Sequence, residues 1–120
     1  MTYYSRRIGH FGERLAQNYL KCRGYKIVET NVKTSYKEID IIARQKDILV
    51  FIEVKTRTSL SFGRADEGIG YYKLQNLKKA IALYLSRNNI FNKKFRLDLI
   101  AIDINRSTKT AYLKHYKEII

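Results

Sequence analysis

Asp40 and the triplet Glu53-Val54-Lys55 are the residues whose types and setting point most directly to chemistry in this 120-residue chain. Each lies in an apolar run: Glu38-Ile39-Asp40-Ile41-Ile42-Ala43, and then, past a short polar connection, Leu49-Val50-Phe51-Ile52-Glu53-Val54-Lys55. An ionised carboxylate in such a run carries a desolvation cost of roughly several kcal/mol, or shifts its pKa, unless it finds a partner. A second carboxylate nearby raises that cost unless a cation sits between them. The simplest cause for two acids and a lysine to converge is a hydrated divalent metal, held by one or two carboxylates together with waters and substrate phosphate. Such a metal lowers the pKa of bound water and neutralises a scissile phosphate, and a lysine beside it orients or deprotonates that water. The pattern predicts metal-assisted phosphodiester hydrolysis, with Asp40 and Glu53 as ligands and Lys55 as the catalytic lysine. Glu13 is available as a third acid. From spacing alone it is equally a solvated glutamate beside Arg14 and Gln17.

The elements that must position these groups follow from periodicity. Residues 38–43 and 48–56 read as two strands joined by Arg44-Gln45-Lys46-Asp47, a hairpin-length connection. On the second of them Val50, Ile52 and Val54 share one face, and Phe51, Glu53 and Lys55 the other, with Glu53 and Lys55 about 7 Å apart. Glu38, Asp40 and Ile42 share a face of the first, so antiparallel pairing brings Asp40 towards Glu53. Upstream, residues 5–22 read as a helix with a stripe of Ile8, Phe11, Leu15, Tyr19 and Cys22, Ser5 as N-cap and Gly24 as its stop. Glu13 falls on the face of Gly9, Ala16 and Leu20, at the edge of that stripe. Residues 25–32 form a strand. Residues 57–68 form a loop carrying Phe62, Arg64 and Asp66, which either touches substrate or simply connects. Residues 69–88 form a second helix, with Leu74, Leu77, Ile81, Tyr84 and Leu85 inward. Lys73 sits in its first turn, where the helix dipole disfavours a cation; a phosphate partner would explain one, and a solvated lysine explains it almost as well. A strand over 95–104, apolar on both faces apart from Arg96, Asp98 and Asp103, reads as interior, and 111–116 as an edge strand. The result is one α/β domain over residues 1–120, a mixed sheet with helices against it.

Composition bounds the partners. There are 24 Lys+Arg against 11 Asp+Glu, a net charge of +13, which favours a polyanionic partner, nucleic acid above all. The 10 tyrosines add groups able to stack on bases. No apolar run approaches the roughly 20 residues of a membrane span, and the N-terminus lacks a secretory apolar core, so the default location is cytoplasmic. The single Cys22 cannot form an internal disulfide and reads as a small core residue.

The motif Asp40…Glu53-Val54-Lys55 resembles the signature of the PD-(D/E)XK nuclease superfamily. More extensively, the chain resembles the YraN-like family of small bacterial proteins, which is similar to the archaeal Holliday junction resolvases. The matching residues are Gly9-x-x-Gly12-Glu13-x-x-Ala16, Tyr19-Leu20, Gly24-Tyr25, Asn31, Glu38 to Ala43, Val50 to Arg57, Phe62-Gly63, Lys73 and Arg96-Leu97-Asp98. The resemblance implies a restriction-endonuclease-like core of α-β-β-β-α-β order and a divalent-metal-dependent endonuclease acting on DNA, branched or structured DNA included. It implies Mg2+ or Mn2+ on Asp40 and Glu53, with the Val54 carbonyl and Glu13 adding to the site and Lys55 catalytic. Arg57, Arg64 and Lys73 are the candidate nucleic-acid contacts. By analogy with resolvases, which make two symmetric cuts, a homodimer is expected. Two departures stand out: Lys37 where the family often has Gly, and Leu74 where a glutamine often follows the helix lysine. The alternatives are a nucleic-acid-binding module with a weak or inactive site, and a structural domain whose acids pair with Lys55 as a buried ion cluster.

Overall fold

The computed structural model describes residues 3–58 and 68–120. The expectations for Phe62, Arg64 and Asp66 lie outside the described residues. The elements run α1 (Tyr3–Cys22), β1 (Lys26–Val32), β2 (Ile39–Gln45), β3 (Ile48–Thr58), α2 (Tyr71–Arg87), β4 (Phe95–Asn105) and β5 (Thr110–Tyr116). The five strands form one mixed sheet in the order β1-β2-β3-β4-β5. Only β3 and β4 pair in parallel, with α2 as their crossover; the other neighbours are antiparallel. Among the described residues no helix is long and apolar enough to cross a membrane.

Each face of the sheet carries one helix, and the alternation along the strands sorts the side chains between them. Ile41, Ala43, Val50, Ile52, Ile100 and Ile102 pack under α1 with Ala16 and Leu20. Ile42, Phe51 and Leu97 pack under α2 with Leu77, Ala80, Ile81 and Tyr84. The interior strand β4 is buried along most of its length, as its two-sided apolar pattern predicts. Tyr84 also donates its hydroxyl to Glu29 Oε2 of β1 at 2.6 Å. Burial, reinforced by the Glu29 carboxylate, pushes that phenol up to about 12, so it stays a donor.

The helix termini follow the local signals at one end and not the other. Gly24 adopts φ +86, and Tyr25 N–H returns to Leu20 O at 3.0 Å, closing α1 where the glycine predicts. The N-terminus starts at Tyr3, so Ser5 lies inside the helix rather than capping it.

The buried stripe of α1 is also turned from the expected one. Gly12, Ala16 and Leu20 are buried, whereas Phe11 is 40% exposed and Cys22 is exposed, not in the core. The reason is close approach. A Cβ on Gly12 would overlap the Thr56 side chain, so α1 lies nearly against β3. The residues under its axis must be small, and the large Leu15 and Tyr19 splay to the flanks. Cys22 follows Leu20 by two residues, about 200° around the helix, and so faces out.

Candidate active site

The site lies where two strands part. β2 and β3 pair from Gln45↔Ile48 to Ile41↔Ile52. Beyond that point β2 stays with β1, ending at Ile39↔Val32, while β3 continues beside β4 to Thr58↔Ile104. Asp40 and Glu53 are the first residues past the last ladder pair, in the fork. There the Val54 N–H donates to Asp40 Oδ2 at 2.8 Å, so the carboxylate fills the acceptor position vacated by the departing strand.

Glu53 is 2% exposed, and its carboxyl group lies within hydrogen-bonding reach of Asp40. Two acids this close cannot both ionise easily. Burial pushes Asp40 up to about 8, with the Glu53 charge second and Glu13 adding to it; the Val54 N–H offsets only part. Without a bound cation, Asp40 therefore holds a proton at neutral pH. Glu53 Oε1 is buried and has no donor among the groups around it. A proton on Asp40, a cation between the acids or a bound water would satisfy that oxygen.

The cations on Glu53 are not the one expected. Lys73 Nζ of α2 lies 2.8 Å from Glu53 Oε2, and Lys37 Nζ lies 3.6 Å from the same oxygen. Lys73, expected as a phosphate contact, is thus tied to a carboxylate, which accounts for a lysine in the first turn of a helix. Lys37, read only as a departure in the turn before β2, is a member of the site. Lys55 shares the Glu53 face of β3, but its Nζ donates to Gly68 O at 3.1 Å. Gly68 also rims an apolar cavity of about 240 Å³ lined by Ile69, Leu74, Leu99, Tyr116 and Ile119.

Glu13 reaches the site's field but not its centre. Its Oε1 accepts from Asn31 Nδ2 at 2.9 Å, and the same amide donates to Glu38 Oε1 at 3.3 Å. Asn31 takes φ +51 at the end of β1, a conformation asparagine tolerates better than its β-branched neighbours would. Among the described residues, no three His, Cys, Asp or Glu side chains converge closely enough to hold an ion by themselves. The structure brings Asp40 and Glu53 together and keeps Glu13 beside Asn31. Arg57 lies two residues beyond Lys55 on the same face of β3, in register with Asp103; Arg64 lies outside the described residues. Two carboxylates with one unsatisfied buried oxygen fit Mg2+ or Mn2+, hard cations that usually take few protein ligands and complete their shell with water and phosphate.

A second buried polar cluster lies on the opposite face, under the C-terminal half of α1. Arg96 Nε donates to Asp98 Oδ1 at 3.0 Å, its Nη2 to Tyr25 Oη at 2.7 Å and its Nη1 to Gln45 Oε1 at 3.2 Å. His115 Nε2 lies 2.7 Å from Asp98 Oδ2, Tyr19 Oη lies 3.0 Å from His115 Nδ1, and Glu118 N–H donates to Asp98 Oδ1 at 2.9 Å. Burial would raise the Asp98 carboxyl, but the His115, Arg96 and Glu118 contacts outweigh it and hold it below the usual carboxylate range. The signal was present in the sequence, since Arg96 and Asp98 interrupt an apolar strand as Asp40 and Glu53 do. Their partners come from four distant segments, and only the fold assembles them.

Residues 12–102 match the uncharacterised protein family UPF0102. The chain is 38% identical to a UPF0102 protein of Alkaliphilus metalliredigens over 111 residues, covering 92% of this chain and 97% of that one. It is 43% identical to one of Syntrophomonas wolfei, covering 82% and 85%. Against one of Clostridium botulinum it is 40% identical, covering 98% and 96%.

Proposed function

The chain belongs to the UPF0102 family, and from the geometry of its strand fork we propose that it is a divalent-metal-dependent endonuclease acting on DNA through a restriction-endonuclease-like core. The observation that carries the reading is the Asp40–Glu53 pair with the unsatisfied Glu53 Oε1. A purely structural cluster would have to satisfy that oxygen with a bound water or by keeping a proton on Asp40, whereas a divalent cation between the acids satisfies both as carboxylates. The order of elements and the +13 charge agree with the superfamily resemblance, and a single domain and a homodimer belong to the same proposal.

Asp40 and Glu53 would hold Mg2+ or Mn2+, and the chemistry that ion supplies is acidification of a water and charge neutralisation at the scissile phosphate. Asp40 would hold the ion as a carboxylate, its proton released to solvent. Lys55 leaves Gly68 O to orient the attacking water and stabilise charge on the phosphate. Lys73 and Lys37 exchange Glu53 for phosphate oxygens. Arg57 and Arg64 bind the flanking backbone, and Glu13 adds negative charge at the rim. The Lys73 and Lys37 contacts also favour a second reading, a nucleic-acid-binding module whose acids are permanently neutralised by these lysines.

Cleavage assays separate the two. Labelled four-way junction, flap, single-stranded and duplex DNA are incubated with Mg2+ or Mn2+ and the parent protein, Glu53→Ala or Lys55→Ala. Cutting that both variants lose, with melting temperature and DNA binding retained, supports the nuclease. Binding without cutting by the parent supports the module.

A further inference from the structure

Three exposed tyrosines flank the two lysines that hold Glu53. Tyr71 and Tyr72 open α2 immediately before Lys73; they are 69% and 82% exposed, with ring centroids 5.4 Å apart in an edge-to-face pair. Tyr36 directly precedes Lys37 and is 50% exposed, and Lys79 Nζ lies 5.6 Å from its ring centroid. The loop bearing Tyr36 is pinned: Thr34 Oγ1 accepts the Tyr36 and Lys37 N–H groups at 3.1 and 3.0 Å and donates to Lys37 O at 2.7 Å. These rings do not serve the core, which on this face is built by Leu77, Ala80, Ile81 and Tyr84 of α2. Leaving large aromatic faces in water carries a cost that a ligand would recover.

We propose that Tyr36, Tyr71 and Tyr72 are a base-stacking platform, and that the site takes nucleic acid whose bases are unpaired beside the scissile phosphate. This rests on the nuclease reading for the position of the scissile phosphate. The bases of intact duplex are stacked on one another and show the protein only edges and backbone. Planar aromatic side chains next to ammonium groups match an unpaired strand instead, ring to base and lysine to phosphate. The chain's large positive charge suits the phosphates and argues against docking a second copy of equal charge through this patch. The substrates favoured are flaps, gaps and single strands over fully paired duplex or a fully paired junction.

The test measures binding, in EDTA and without turnover. Anisotropy titrations compare a single-stranded oligonucleotide, a gapped duplex and a blunt duplex, and a 2-aminopurine placed in the unpaired stretch reports stacking by its quenching. Tyr71→Ala/Tyr72→Ala should lose roughly tenfold or more in affinity for the unpaired substrates and lose the quenching, with duplex affinity nearly unchanged. Tyr71→Phe/Tyr72→Phe should keep both, since the ring and not the hydroxyl stacks. Equal losses on duplex and single strand, no loss at all, or a parent dimer that the Ala variant abolishes would each overturn the platform. Cleavage that persists with no preference for unpaired bases would overturn the platform and leave the nuclease standing. Tyrosine-dependent stacking with no cleavage on any substrate would leave the platform and overturn the nuclease.

Discussion

The proton held by Asp40 makes a sharp prediction about the metal-free protein. An ordinary Asp carboxyl ionises near 3.8; in the fork, burial and then the Glu53 charge push this one up to about 8. Between those values the folded state keeps a proton that the unfolded state has released. Stability therefore falls as pH rises across the window, the opposite sense to a salt-bridged carboxylate. At about 1.4 kcal/mol per pH unit, the span from pH 5 to pH 8 has a ceiling of about 4 kcal/mol. Asp40 is only partly buried and Lys37 and Lys73 stand close by, so screening should leave about 2 kcal/mol. Asp40→Asn removes the titration while keeping the shape and an oxygen for the Val54 N–H, and its amide can donate to Glu53. In urea unfolding with EDTA, the stability of the variant relative to the parent should rise by about 2 kcal/mol from pH 5 to pH 8. Mn2+ should raise the melting temperature of the parent and leave the variant's unchanged. A stability difference that is flat across pH would mean Asp40 is ionised throughout, and the argument from the shared proton would fail.

Other consequences are read by the same stability measurements. Lys73→Met removes the 2.8 Å partner of Glu53; it should cost about 1–2 kcal/mol in EDTA, reduced from a fully buried pair because the lysine is half-exposed. The same variant should gain more stabilisation from Mn2+ than the parent does; a smaller gain would show that Lys73 helps hold the metal instead of standing in for it. Gly12→Ala drives a methyl into Thr56 and should cost about 1–3 kcal/mol. Adding Thr56→Ala should recover part of that loss, and a strictly additive double variant would refute the close approach. Asp98→Asn strands Arg96 and should cost about 3 kcal/mol or more. Because the Asp98 carboxyl is held low, its contribution is present above the ordinary carboxylate range and lost as pH falls through its folded value; melts from pH 6 to pH 2 should show the parent converging on the variant.

Sequence alone was enough for the chain's elements and the pairing of the two acids. Periodicities of two and near four set the strand and helix positions to within a few residues, because burial of one face dictates them. Acids in apolar strands marked Asp40 and Glu53, since a buried charge demands a partner wherever it lies. What those partners are was a matter of tertiary structure. Glu53 meets Lys73 and Lys37 rather than Lys55, because a strand fixes which face a side chain takes but not how far a flexible lysine on a helix or turn reaches across it. Glu13 accepts the amide of Asn31, which takes a left-handed conformation at the end of β1, and one-dimensional spacing carries no such angle. The turned stripe of α1 has the same origin: hydrophobic periodicity weights large residues, while the axis of closest approach belongs to Gly12 and Ala16, which permit it. The Arg96–Asp98–His115–Tyr19 cluster announces itself only by two charges in β4, its other members being ordinary polar residues until the sheet and α1 bring them together. Local patterning decides which residues must be buried; the packing of helix on sheet decides whom they meet.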